Sequence, residues 1–203
     1  MTRQQGRPPR TRLSPEARRA AILQSAIEFF AERGFNAQTR ELATRLGISE
    51  PLIYRYFPTK DALIRGVFHE VIESRWDDDW ANLLRDRGRP LRSRLLDFYQ
   101  RYLDAIDDSV WIRIVMYASL DGLDMTRDYI SDRVEKVMGI ISEEAAACGG
   151  AGPAIDHERI WQLQSTLIYY LVRKHIHRTP VPNDRTELVS MAVDAFIDPL
   201  PPG

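Results

Sequence analysis

Apolar residues recur at intervals of three and four through the 203-residue chain, and no segment alternates apolar with polar residues as a half-buried strand requires. A chain patterned in this way buries its apolar stripes by packing helix on helix, so the fold class is all-α. Breakers and caps set the expected boundaries. Ser14-Pro15-Glu16 starts a helix that carries Ile22, Leu23, Ala26, Ile27, Phe29 and Phe30 on its apolar side, and Gly34 ends it. Thr39 can cap a short second helix with Leu42, Ala43 and Leu46 inward, and Gly47 supplies the left-handed residue of a tight turn. Ser49 caps a third helix, where Pro51 is tolerated because a first-turn N–H has no intrahelical partner.

Pro58-Thr59-Lys60-Asp61 breaks this unit and caps a fourth helix expected to run toward Trp80, with Leu63, Ile64, Val67, Phe68, Val71 and Ile72 on its apolar side. Further breakers at 88–90, 121–124, 149–153 and 180–184 divide the rest into about five helical segments. The expected layout is a basic arm over residues 1–13, a three-helix helix-turn-helix head over 14–58, and a helical-bundle body over 59–203.

Charge divides along the same line. The formal net charge is only -1, yet residues 1–65 hold twelve Arg and Lys against six acids, a net of +6, which leaves -7 for the remainder. A polyanion partner for the N-terminal part is the simplest physical reading. Arg3, Arg7, Arg10 and Arg12 lie in a stretch with no acid. Such an arm either raises solubility or lies along a minor groove. A single cysteine, Cys148, excludes an internal disulfide and suits a reducing compartment. With no apolar leader and no run of about 18 apolar residues, the expectation is a cytoplasmic chain with no membrane contact.

The decisive stretch is TRELATRLGISEPLIYRYFPTKDAL, residues 39–63. A short helix ends at Gly47, turns through Ile48 and restarts at Ser49, so that the next helix presents Glu50, Pro51, Leu52, Tyr54 and Arg55 while Ile48, Ile53 and Phe57 point to the core. A helix so short and exposed fits a major groove, where its first turn meets base edges. With Gly34-Phe35, Leu42-Ala43, Leu46-Gly47-Ile48-Ser49, Tyr54-Arg55-Tyr56-Phe57, Lys60 and Leu63 in this spacing, the stretch resembles the DNA-binding signature of the tetracycline-repressor (TetR) family over roughly residues 15–65.

The resemblance implies a homodimeric regulator of transcription, a repressor released from a palindromic duplex-DNA operator by a small molecule. It suggests Thr39 on a phosphate, Arg40 on a guanine edge, Tyr54 and Tyr56 on phosphates through their hydroxyls, and Lys60 as added charge at a helix N-terminus. Ser49, Glu50, Pro51, Leu52 and Arg55 complete the candidate DNA-binding set. Glu50 could accept from a cytosine amino group and Pro51 or Leu52 could touch a thymine methyl, but many members carry a small residue where Pro51 stands and threonine at Leu52, which leaves the operator open. The plainer alternatives are tyrosines that belong partly to the core and a Glu50 that merely complements the helix dipole.

In the body the resemblance implies an apolar cavity, with Trp76, Trp80, Tyr99, Tyr102, Trp111, Met116 and Tyr117 as candidate lining for an apolar, aromatic or acyl effector. Aromatic residues at helical spacing are also ordinary core. The last two segments are apolar over too wide a face for a surface helix. A single-chain core could absorb them, and they also suit a four-helix interface with a second copy through Leu163, Leu167, Leu171, Val189, Val193 and Phe196. If the body held no small molecule, the chain would be an architectural or protein-interaction factor on DNA, and the discriminating observation is whether the aromatic body encloses a cavity. Catalysis is not expected. His175 and His177 fall on opposite sides of a helix, His69 and His157 lack partners at ligand spacing, and no nucleophile elbow, Walker loop or dinucleotide glycine pattern occurs, so neither metal nor cofactor is anticipated.

Overall fold

The computed structural model of the chain describes residues 13–148 and 157–198. The expected basic arm, apart from Leu13, and the breaker at 149–153 lie outside the described residues. Those that are described form an all-helical fold. The head comprises α1 (Pro15–Arg33), α2 (Thr39–Leu46) and α3 (Glu50–Tyr56), followed by α4 (Lys60–Val71). The body continues with α5 (Trp80–Arg85), α6 (Leu91–Ile106), α7 (Ser109–Leu120), α8 (Asp124–Tyr129), α9 (Glu135–Cys148), α10 (His157–Leu171) and α11 (Arg185–Ile197). A π-helical turn, Ile130–Val134, joins α8 to α9, and a second, Val172–His177, prolongs α10.

Local chemistry sets the head. The Ser14 hydroxyl accepts from the Ala17 N–H at 3.1 Å, and Gly34 ends α1 at φ 79° and ψ 170°, a region open essentially to glycine. Gly47 is left-handed at φ 63°, and the Ile48 N–H closes the turn on the Ala43 carbonyl at 3.1 Å. Ile22, Ala26, Phe30, Leu42, Ile53 and Phe57 are buried beneath the turn, each large side chain contributing about 1.5–3 kcal/mol by leaving water.

Thr39 does not cap α2 as the sequence suggests. Gln38 occupies the N-cap without a side-chain hydrogen bond, and the Thr39 hydroxyl points elsewhere. Ser49 is the N-cap residue of α3, but its hydroxyl makes no capping bond.

Two boundaries in the body depart from expectation. The fourth helix stops at Val71 instead of reaching Trp80. The chain passes through a 3-10 turn, Glu73–Arg75, and becomes extended at Trp76, because Arg75 is drawn to the Ala105 carbonyl at 3.1 Å and the Asp108 carboxylate at 2.7 Å while Trp80 inserts into the core. The stretch between the breakers at 88–90 and 121–124 is likewise two helices. It divides at Asp107-Asp108, where the Asp108 carboxylate caps the Val110 N–H at 2.8 Å and Asp107 receives Lys174 at 2.7 Å, His175 at 2.7 Å and Arg185 at 3.2 Å.

Helix α6 packs on α5, α9 and α11, α10 on α9 and α11, and α7 on α1, α4 and α8. Head and body therefore share one continuous buried cluster. The body also sinks an ionic group: Arg94, 1% exposed, donates to the Leu84 carbonyl and lies 2.8 Å from Glu144, which Arg87 engages from outside at 3.0 Å. These two guanidiniums, Arg87 foremost, hold the Glu144 carboxyl at about 2, well below its ordinary 4.5.

Candidate nucleic-acid interface

The outer edge of the head is the start of α3 with the side of α2 beside it. Ser49, Pro51 and Arg55 are exposed, Glu50, Leu52, Tyr54 and Tyr56 are half-buried, and Arg40 stands exposed on α2. Lys60 sits half-exposed at the first position of α4, whose N-cap Thr59 takes the Ala62 N–H at 3.0 Å. None of Arg40, Arg55 and Lys60 makes an ion pair among the described residues, although Arg45 on the same head is held by Glu32 at 2.8 Å and Glu28 at 3.3 Å. Unpaired cations around an exposed helix start suit a phosphate backbone, which rewards each neutralised charge by counterion release.

Thr39, expected on a phosphate, is 4% exposed. Its hydroxyl lies 2.5 Å from Glu50 Oε1 and 2.7 Å from the Tyr54 hydroxyl, so three of the candidate residues form one hydrogen-bonded chain across the turn. Tyr56 packs its ring on the core.

The candidate effector residues separate into two groups. Trp80 meets Trp76, Phe98 and Tyr102 edge to face, Tyr102 stacks on Phe98, and Tyr99 lies 4.8 Å from Phe98. Burial pushes the Tyr102 phenol up to about 12 and that of Tyr99 upward as well, and the Tyr102 oxygen accepts from Gln164 at 3.1 Å. The space that remains there, lined by Trp76, Tyr99, Tyr102, Met138 and Gln164, is about 10 Å³, close to the room one water needs. Trp111, Met116 and Tyr117 stand apart on α7, which packs toward α1, α4 and the end of α10; the buried Trp111 Nε1 has no hydrogen-bond partner among the described residues.

Tyr117 instead serves the joint between head and body. Its ring lies 3.0 Å from where a β-carbon on Gly34 would sit, and its hydroxyl accepts from Arg113 at 3.2 Å. Arg113 also donates to the Ala31 carbonyl, and Asn36 donates to Asp121 at 2.7 Å. The last carbonyls of α1 are thus capped by a helix of the body. Arg113 escaped the sequence reading, although it is the one charged residue within SVWIRIVMYASL, and a lone cation on an apolar helix was the available signal.

The six candidate interface residues belong to the core of the single chain. Leu163, Leu167, Leu171, Val189, Val193 and Phe196 are all buried within the single chain. The apolar residues left on the outside of the same helices are Tyr169, 57% exposed, and Met191, 64% exposed, the latter beside Leu188, Ala192 and Thr166 in a groove of about 320 Å³. The protomer itself fills the side that carries the six.

Among the described residues no group of three or more His, Cys, Asp or Glu side chains is placed to hold a metal ion, and no helix is long and apolar enough to cross a membrane.

The fold and this edge define an all-helical chain with a helix-turn-helix head on a helical body. The family profile described as bacterial regulatory proteins, tetR family, matches residues 22–67. The chain is 30% identical over 96 residues to the tetracycline repressor protein class A from transposon 1721 of Escherichia coli, a match covering 43% of each chain. It is 38% identical over 89 residues to the HTH-type transcriptional repressor Rv3405c of Mycobacterium tuberculosis, covering 39% of this chain and 47% of that one. The matched part thus spans less than half the length of these relatives. A TetR-family transcriptional regulator from Mesorhizobium loti shares the fold at a TM-score of 0.61 and 16% identity, covering 91% of this chain and 98% of that one. Another from Pseudomonas syringae does so at 0.58 and 19%, covering 91% and 97%. Over residues 22–67 the chain is similar to the N-terminal module of the tetR family of bacterial regulatory proteins, and its whole fold is that of solved TetR-family regulators. These relatives are named as regulators or repressors, not as enzymes.

Proposed function

We propose that the chain is a cytoplasmic transcriptional regulator that binds duplex DNA in a sequence-specific way as a homodimer. The observation that carries this reading is the exposed start of α3 set among three cations, Arg40, Arg55 and Lys60, that make no ion pair among the described residues, on a turn fixed by Gly47. Ser49, Glu50, Pro51 and Leu52 would meet base edges, Arg40 and Arg55 bases or phosphates, and Lys60 and Tyr56 the backbone. The second copy would seat on the outer face of α10 and α11, where Tyr169 and Met191 offer apolar surface to their two-fold mates. Repression relieved by an apolar or aromatic effector completes the reading. That effector would occupy the space among Trp76, Trp80, Tyr99 and Tyr102, and Trp76 with Val137 forms the wall between that space and an outer groove of about 530 Å³. Displacement of Trp76 opens the interior, and Tyr117, Arg113 and Gly34 carry the resulting shift of α7 to the end of α1.

The near-filled interior favours a second reading, a DNA-binding factor whose body takes no small ligand. Selection of genomic fragments by the purified chain, followed by a thermal-shift screen of apolar metabolites, separates the two. Enrichment of inverted repeats with a ligand-raised melting temperature supports the regulated form. Enrichment without any shift supports the unliganded factor, and no enrichment refutes both.

A further inference from the structure

We propose that Glu50 reads a cytosine amino group and that Thr39 and Tyr54 are the positioning residues that hold its carboxylate for the task. The proposal rests on the reading of the head as a DNA binder. Its starting point is the hydrogen-bonded chain across the turn, in which Thr39 Oγ1 lies 2.5 Å from Glu50 Oε1 and 2.7 Å from the Tyr54 hydroxyl.

The chain has only one self-consistent polarity. A hydroxyl owns a single hydrogen and a carboxylate owns none. Thr39 therefore donates to Glu50, and the phenol of Tyr54 donates to Thr39. While the chain stands, neither Thr39 nor Tyr54 has a hydrogen left to give a phosphate, and Thr39, at 4% exposure, could not reach one. Both side chains are turned inward to fix a third.

Glu50 is the side chain so fixed. It occupies the first position of α3 and is half-exposed, and its Oε2 has no hydrogen-bond partner among the described residues. A carboxylate held in place offers acceptors only. In the major groove guanine presents N7 and O6 and thymine presents O4, all acceptors that repel it. The adenine N6 donor is flanked by two acceptors, its own N7 and the O4 of its thymine partner, whereas the cytosine N4 amino group has an acceptor on one side only, the O6 of its paired guanine. An untethered glutamate would swing away from a mismatched base and lose discrimination. The hydroxyl of Thr39 removes that freedom, and Tyr54 in turn orients the hydroxyl.

The test uses the full-length chain and four proteins: wild type, E50Q, T39V and T39S. Each selects from a randomised duplex pool, and each is then titrated against the selected site with single base pairs exchanged, at two salt concentrations. Wild type should show one position per half-site where replacing cytosine weakens binding about tenfold, within the range usual for a specific base contact. E50Q should move that preference to adenine, because an amide pairs with N6 and N7 together. T39V should flatten the preference there while leaving the salt slope unchanged, and T39S, which restores the hydroxyl, should recover it.

Wild type that binds every sequence alike removes the DNA-reading function itself. A selective wild type whose preferences survive E50Q at every position overturns the proposal for Glu50. A T39V protein that discriminates like wild type, or one that weakens on all sites equally with a salt slope reduced by about one, overturns the positioning role and makes Thr39 a bystander or a phosphate contact. If T39V fails to fold by circular dichroism, the comparison of E50Q with T39S decides: a shifted base preference in the first and a retained one in the second uphold the proposal, and any other pairing refutes it.

Discussion

The head and the body treat charge in opposite ways. On the edge of the head Arg40, Arg55 and Lys60 have no carboxylate partner among the described residues, whereas the body pairs Arg75 with Asp108, Arg89 with Asp97, Arg92 with Asp194, Arg133 with Asp78, and Arg87 and Arg94 with Glu144. Charge in the body holds helices together. Charge on the head edge is left open to the duplex DNA proposed as its partner. The net of +6 against -7 along the sequence therefore reflects two different uses of the same residue types, and substitutions should separate them.

The largest effect belongs to the body. Glu144→Ala strips the buried Arg94 of its carboxylate, and an unpaired buried charge costs about 3–5 kcal/mol, read as a lower urea midpoint. The same pair predicts an acid limb. The folded carboxyl titrates near 2, below its ordinary 4.5, so its contribution is present above pH 4.5 and is lost as pH falls through about 2. Between those values wild type should lose stability more steeply than Glu144→Gln, and parallel curves would show that the pair contributes nothing. At the joint between the regions, Gly34→Ala places a β-carbon against Tyr117 at a backbone conformation open essentially to glycine, for a loss of about 1–3 kcal/mol in the same measurement. An unchanged midpoint would mean that the two regions are not locked together at Gly34. The smallest effect in stability is on the head edge, where Lys60→Ala should change stability by less than about 0.5 kcal/mol yet lower the slope of log affinity against log salt by about one. A stability loss with an unaltered slope would make Lys60 structural.

The same contrast explains what was legible in the sequence. The head is built from local chemistry, a capped start at Ser14, glycines at Gly34 and Gly47, and a proline confined to the first turn of α3, and each of these is written in a few adjacent residues. What was missed there are two side-chain directions: Ser49 stands at the N-cap of α3 without a capping bond, and Thr39 has the composition of a cap but reaches across the turn to Glu50. The body depends on contacts distant in sequence. The breaks after Val71 and at Asp107-Asp108 carry neither glycine nor proline, and they arise because Arg75, Lys174 and Arg185 pull on those segments from elsewhere. Apolar spacing likewise shows that α10 and α11 are buried on wide faces but not which side meets the protomer, so the six residues with the strongest signal prove to be internal. Aromatic spacing on α7 could not distinguish a cavity wall from a joint, and Tyr117 belongs to the joint.

The measurement closest to the central claim is a footprint of the purified chain on a genomic fragment that it selects. Two protected half-sites in inverted orientation, about 10–10.5 base pairs from centre to centre, are the result predicted for paired heads that each place α3 in a major groove. Uniform protection without sequence preference, or a single isolated half-site at saturating protein, would contradict it.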